Sequence, residues 1–175
     1  ITVSALGLGT VKFGRTRGLK HPTPARMPTD DEARALLALA RDRGITLLDT
    51  APAYGSSEER LGALLAGERD RWIICTKVGE EFDNATGQSR FDFTPEGVRA
   101  SVHRSLQRLR TDVLDVVLVH SDGAAELLLE ELGTLDALRE LRRAGAVRAV
   151  GVSTKPVAGA LRAVAACDVV MLTLH

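Results

Sequence analysis

The sequence predicts an α/β fold, a (β/α)8 TIM barrel of which these 175 residues supply the first six βα units. Three observations predict it. Short, almost wholly apolar runs begin near positions 6, 45, 72, 113, 147 and 169, and stretches with apolar residues at helical spacing separate them, the alternation of repeated βα units. Several runs stop on a residue that can hold or move a proton: Asp49, Thr76-Lys77 and Val119-His120. In a parallel sheet those ends share one rim, where such folds place their chemistry. The last run, 169–175, has no helix after it, and the chain opens on Ile1 rather than methionine. The expectation is therefore a single barrel domain over residues 1–175, C-terminally incomplete and part of a longer polypeptide. An open doubly wound sheet is the alternative that periodicity leaves standing. That fold wants a glycine-rich phosphate turn leading directly into a helix, and Gly7-Leu8-Gly9 leads into a loop.

Each element has its own signal. Leu6 to Thr10 is a short strand closing on glycine, and Val11 to Pro28, with its glycines, prolines and cations, is a long loop or lid. Thr29-Asp30-Asp31-Glu32 is a capping box, and Ala33, Leu36, Leu37 and Ala40 then form the inner stripe of a helix that Gly44 ends. The strand 45–49 follows, apolar enough to be buried on both faces. Ser56 or Ser57 is expected to cap the next helix, with Leu61, Leu64 and Leu65 inward. Trp72 to Lys77 is a strand, Trp72 packing at the rim away from the chemistry, and 78–93 reads as a polar loop. Thr94-Pro95-Glu96 starts a helix whose inner face is Val98, Val102, Leu106 and Leu109. Val113 to His120 is a strand with Asp115 near its outer end; a leucine-rich stretch, 124–144, carries one or two helices with a break at Gly133. Val147 to Val152 is a strand, and the helix after Pro156 is expected to turn Val157, Leu161 and Val164 inward.

Charge excludes some functions. The 23 basic and 23 acidic residues cancel, so neither a nucleic acid nor an anionic surface is implied as partner. No window is apolar for long enough to span a bilayer. Cys75 and Cys167 both lie in apolar runs, where reduced thiols are expected; that and the plain N-terminal sequence suggest the cytoplasm.

A Tyr, a Lys and an Asp brought together make a proton donor. Free tyrosine has a pKa of about 10, too high to exchange protons readily near neutrality. A neighbouring ammonium stabilises the phenolate, and a carboxylate holds the ammonium. A histidine across the pocket orients a carbonyl or relays a proton. Such a group assists carbonyl reduction when hydride comes from elsewhere, and no side chain supplies hydride, so a nicotinamide or flavin is implied. Each residue alone has a plainer reading: Asp49 as a turn cap, Tyr54 and Lys77 as surface, His120 as a core histidine. Their coincidence on one rim favours the site.

Leu47-Leu48-Asp49-Thr50-Ala51, then Tyr54-Gly55, Ser57-Glu58 and Leu61-Gly62, with Gly7-Leu8-Gly9-Thr10 before and Thr76-Lys77, Leu118-Val119-His120 and Gly151-Val152-Ser153 after, resemble the aldo-keto reductases over Ala5 to Leu174. The resemblance implies the (β/α)8 barrel and reduction of a small aldehyde or ketone by NADPH, with NADH possible. It implies a tetrad of Asp49, Tyr54, Lys77 and His120: Tyr54 donates the proton, Lys77 and Asp49 lower its pKa, and His120 orients the carbonyl. It also implies that Thr10 and Val11 approach the cofactor through backbone, that Asp49 borders it, and that Ser153, Thr154 and Met171 face the nicotinamide. Thr154 stands where the family usually has Asn, and Met171 where it usually has Gln. A second class shares these residues, a cofactor-sensing regulatory subunit with little turnover.

Weaker signals remain. Arg99, His103, Arg104, Arg108 and Arg110 read as the solvated face of a helix. His21 and the run Glu80-Glu81-Phe82 are placed where barrel loops line a substrate mouth. No Cys/His cluster has metal-ligand spacing, so no metal is expected. Oligomeric state is left open.

Overall fold

The computed structural model describes residues 1–18, 26–121 and 133–173. The first strand, β1 (Gly7–Gly9), leads into a single turn, α1 (Val11–Gly14), and helix α2 (Asp30–Asp42) precedes β2 (Leu47–Asp49). A 3₁₀ turn (Pro52–Tyr54) and α3 (Ser57–Leu64) follow, then β3 (Ile73–Val78). A hairpin of β4 (Glu80–Asp83) and β5 (Gln88–Phe91) stands before α4 (Pro95–Leu109) and β6 (Leu114–His120). The described residues end with α5 (Thr134–Arg143), β7 (Val147–Thr154), α6 (Val157–Ala166) and β8 (Val169–Leu172). Six strands, all parallel, pair in the order β1-β2-β3-β6-β7-β8. They curl as six-eighths of a (β/α)8 barrel.

The core has two sides because strand side chains alternate. Leu48, Ile74, Val117, Val119, Val150 and Val152 face the helices, packing with Leu61, Val98, Val102 and Leu138. Cys75, Val116, Leu118 and Ala149 form the interior face, joined by Leu47, Ile73, Val169 and Met171. The same alternation aims Asp49, Lys77, His120, Ser153 and Met171 at the interior near the strands' C-terminal ends. At the opposite end Trp72 is buried, and Asp115, second residue of β6, accepts from Arg69 at 2.7 Å, Arg148 at 2.9 Å and the amide of Ile74 at 2.9 Å.

Caps follow their chemistry where the side chain is free to cap. The Thr29–Glu32 capping box is formed in both directions, and the Thr94 hydroxyl accepts from the Gly97 amide. Ser56 and Ser57 do not cap α3. The Ser57 hydroxyl is spent instead on the carbonyl of Thr10, at 3.0 Å. The 78–93 segment is not a loop but contains the β4–β5 hairpin; only Phe82 of it is buried among the strand residues, so no alternating pattern announces it. α6 also differs from expectation. Val157, Leu161 and Val164 are 67%, 69% and 66% exposed, and Gly159, Ala160 and Ala163 are the buried face. With apolar residues on nearly every side of VAGALRAVAA, spacing cannot tell the inner stripe from the outer. Leu36 on α2 is likewise 40% exposed. His21 and residues 124–132 of the leucine-rich stretch lie outside the described residues.

Candidate active site

β2 ends at Asp49, and the chain turns at once through the 3₁₀ segment, in which the Tyr54 amide bonds the Ala51 carbonyl at 2.9 Å. The turn is locked from below by hydroxyls: Thr10 Oγ1 and Ser57 Oγ are 2.9 Å apart, and Thr50 donates to Ser57 at 3.1 Å. It is locked from the side by close backbone approach. A Cβ on Gly14 would meet the Ser57 nitrogen at 2.0 Å and the Tyr54 carbonyl oxygen at 2.3 Å. Gly55, at φ +63°, reverses the chain beside Gly14.

Tyr54 is thereby brought over the barrel interior. Its hydroxyl lies 3.1 Å from Asp49 Oδ2 and 3.0 Å from Lys77 Nζ. Lys77, 1% exposed, donates also to Asp49 Oδ1 at 2.5 Å and to the Thr50 carbonyl at 3.0 Å. Every ammonium proton has an acceptor, as a buried charge requires. Burial, the largest single influence, pushes Lys77 down, but Asp49 and Tyr54 together push it further up, and it lies above its ordinary value. Lys77 is therefore an ammonium at neutral pH.

Tyr54 departs from the sequence expectation. Burial raises its pKa, Lys77 lowers it and Asp49 raises it, with the sum above the ordinary phenol value. Asp49 does not lower the phenol directly: a carboxylate beside a phenolate repels it, and its assistance consists in holding Lys77. His120 meets Tyr54 edge to face with ring centroids 6.4 Å apart. Burial and then Lys77 hold His120 below the usual imidazole value, against Glu80 and Asp49.

The remaining residues expected at the site fall in two groups. Register aligns His120 with Ser153 and Ser153 with Met171 across β6, β7 and β8, and all three line one cavity of about 500 Å³ with Thr154 and Glu80. That volume lies in the range of small-molecule sites. Its polar and thioether lining beside the Tyr54–His120 pair fits a nicotinamide ring with its carboxamide, Ser153 supplying a hydroxyl. Thr154 is buried and its hydroxyl reaches toward the Pro156 carbonyl at 3.5 Å. Thr10 and Val11 lie where β1 passes into α1. The Thr10 amide and hydroxyl are both given to the Asp49 carbonyl, at 2.9 and 2.8 Å.

Other residues support the site in ways the sequence did not assign them. Thr50 and Ser57 hold the turn; Arg15 donates to the Ala53 carbonyl at 2.9 Å and lies over the Phe82 ring at 3.7 Å. Hydroxyls and a loop arginine give no periodic signal. Glu58, wholly buried, accepts from Thr76 at 2.6 Å and faces Arg108 at 3.4 Å; burial raises its pKa against both partners. The arginines of α4 are thus not simply a solvated face, since Arg99 pairs with Glu140 and Arg104 with Glu81 as well. Burial pushes the Cys75 thiol up to about 12. Among the described residues no group of three or more metal-ligating side chains occurs, and no helix is long and apolar enough to cross a membrane.

Parallel strands with titratable side chains gathered at one rim define a barrel with its site at the C-terminal mouth, and sequence comparison makes the family specific. The family model for the aldo/keto reductases matches residues 5–175, and the chain belongs to that family. It is 33% identical to D-threo-aldose 1-dehydrogenase of a Pseudomonas species over 189 aligned positions, which cover 96% of this chain and 55% of the relative. It is 30% identical to the NADH-specific methylglyoxal reductase of Escherichia coli, over 87% of this chain and 49% of that protein. A solved structure from Pseudomonas aeruginosa, assigned to the aldo-keto reductases, superposes with a TM-score of 0.89 at 53% identity, covering 99% of this chain and 64% of that one. The chain spans about half the length of these curated relatives.

Proposed function

We propose that the protein carrying this chain is a nicotinamide-dependent carbonyl oxidoreductase, reducing a small aldehyde or ketone to the alcohol. The observation that carries this reading is the three-way contact of Tyr54, Lys77 and Asp49 inside the barrel mouth. The names of the relatives, an aldose dehydrogenase and a methylglyoxal reductase, support small oxygen-rich carbonyl compounds as the substrate class. NADPH is the cofactor we assign, with NADH the alternative that a binding titration separates.

The cofactor, when bound, supplies the hydride. This chain's own residues do the rest. Tyr54 gives its hydroxyl proton to the carbonyl oxygen, so that the Tyr54 O–H bond breaks as the substrate O–H bond forms. Lys77 stabilises the phenolate left behind, and Asp49 keeps Lys77 in place and charged. His120 orients the carbonyl oxygen opposite Tyr54. Ser153, Thr154, Met171, Thr10, Val11 and Asp49 are the residues that would hold the nicotinamide. The turn packed under Tyr54 by Ser57 and Gly14 keeps the phenol from swinging away, which preserves the reacting distance.

In the full-length protein, Tyr54→Phe is expected to abolish aldehyde-dependent consumption of NADPH while leaving NADPH binding intact. Unchanged turnover refutes the role of Tyr54.

A further inference from the structure

One wall of the cavity beside His120 has no part in the proposed reaction. Glu80 opens β4, three residues past Lys77, and its side chain is only 16% exposed. Ser89, on the facing strand of the hairpin, donates to Glu80 Oε1 at 2.6 Å, and the Arg15 guanidinium stands 3.8 Å from the same oxygen. The second oxygen, Oε2, lies 3.1 Å from Nδ1 of His120. That ring nitrogen is buried and lacks an aligned hydrogen-bond partner, so Glu80 stands beside it off the N–H axis, an ion-pair partner whenever the ring is protonated. A carboxylate braced by a neighbouring strand, its other oxygen against an unmet imidazole nitrogen, is a specific arrangement. Hairpin stability alone does not require it.

We infer that Glu80 is a positioning residue for His120: its carboxylate keeps a proton on Nδ1, so that the ring meets substrate oxygen through Nε2. This rests on the oxidoreductase reading above. A charged ring donates from Nε2 to a carbonyl oxygen, which suits reduction; a neutral ring with its proton on Nδ1 accepts from a hydroxyl, which suits oxidation. By favouring the charged ring, Glu80 extends reduction to higher pH.

The charged and titratable groups around the ring give this effect its sign. Lys77 on β3 and Lys155 after β7 oppose the imidazolium; Asp49 on β2 and Glu80 on β4 favour it. Tyr54 is neutral. Asp49 is already committed to the Lys77 ammonium at 2.5 Å, which leaves Glu80 as the carboxylate whose charge His120 feels directly.

The test uses Glu80→Gln in the full-length protein, which keeps the shape and removes the charge. Magnetic-resonance titration of the His120 ring is expected to show its midpoint falling by roughly one pH unit or more, the size of effect a close opposite charge exerts. The alkaline limb of kcat for aldehyde reduction should move down with it, KM for NADPH should hold, and Glu80→Asp should restore part of the shift. Ser89→Ala, which frees the carboxylate without deleting it, should move the midpoint the same way by less. A midpoint unmoved by both Glu80→Gln and Ser89→Ala overturns the proposal. So does a loss of kcat equal at every pH. Tyr54→Phe run alongside keeps the claims apart: turnover surviving that change sinks the oxidoreductase reading, while the ring titration still decides on Glu80.

Discussion

Tyr54 is the residue at which the electrostatics are most finely opposed. Burial and Asp49 raise its pKa while Lys77 lowers it, and the net direction is upward. The protein without cofactor should therefore hold a neutral phenol until well above pH 7. Tyr54 is the sole tyrosine of these 175 residues, and an ultraviolet titration of phenolate absorbance taken as the difference from Tyr54→Phe reads it directly, with a midpoint expected above the free value of about 10. Lys77→Met removes the one downward influence and should push the midpoint higher; Asp49→Asn should bring it lower. The opposite order would show that the ammonium does not govern the phenol. Stability follows the same sign. Tyr54 and Lys77 both have raised folded pKa values, so the folded state binds more protons than the unfolded one above about pH 10. Their contribution is fully present below that pH and is lost as pH rises through the folded values, a trend that alkaline unfolding followed by circular dichroism would display.

Among the elements, the turn from Thr50 to Ser57 depends on what packs against it. Gly14 lets α1 lie flush on that turn, and the atoms a methyl group would strike are backbone, which cannot rotate away. Gly14→Ala is expected to cost about 1–3 kcal/mol in denaturant midpoint and to lower turnover more than cofactor binding, because it displaces Tyr54. α6 offers the contrast. Leu161 is exposed, and Leu161→Gln should change stability by less than about 0.5 kcal/mol; Ala163→Leu, on the buried face, should cost about 1–3 kcal/mol. The elements also show what a sequence reveals. Thr29 and Thr94 were legible as caps because the partners of their hydroxyls lie within three residues, Glu32 for the one and Asp92 and Gly97 for the other. Ser57 was not, since its hydroxyl answers Thr10, 47 residues away. The β4–β5 hairpin was invisible because its strands are mostly polar, and the inner face of α6 was misread because small residues, not large ones, touch the sheet.

For the molecule as a whole, the alternation of apolar runs with helices gave only a parallel α/β sheet, open or closed; the residues at the strand ends favoured the barrel and gave the rim where Tyr54, Lys77 and Asp49 meet. What periodicity could not reveal was the set of long-range polar ties. Asp115 binds three strands at the far end, through the Ile74 amide on β3 and Arg148 on β7, with Arg69 alongside. Asp115→Asn keeps the shape but leaves guanidinium charge unanswered, and about 2–3 kcal/mol of stability should be lost, seen in the denaturant midpoint with the slope unchanged. Beside that tie sits Trp72, the one tryptophan of these 175 residues, 3% exposed in the layer between sheet and helices at the end of the strands away from the site. Within these residues, indole fluorescence reports that end of the sheet–helix layer alone. Emission from the indole and ellipticity from the whole backbone thus sample different parts of one chain, and a single cooperative transition requires the two melting curves to superimpose. Curves that separate would mean that the layer around the strand starts and the rest of this curled sheet come apart in succession.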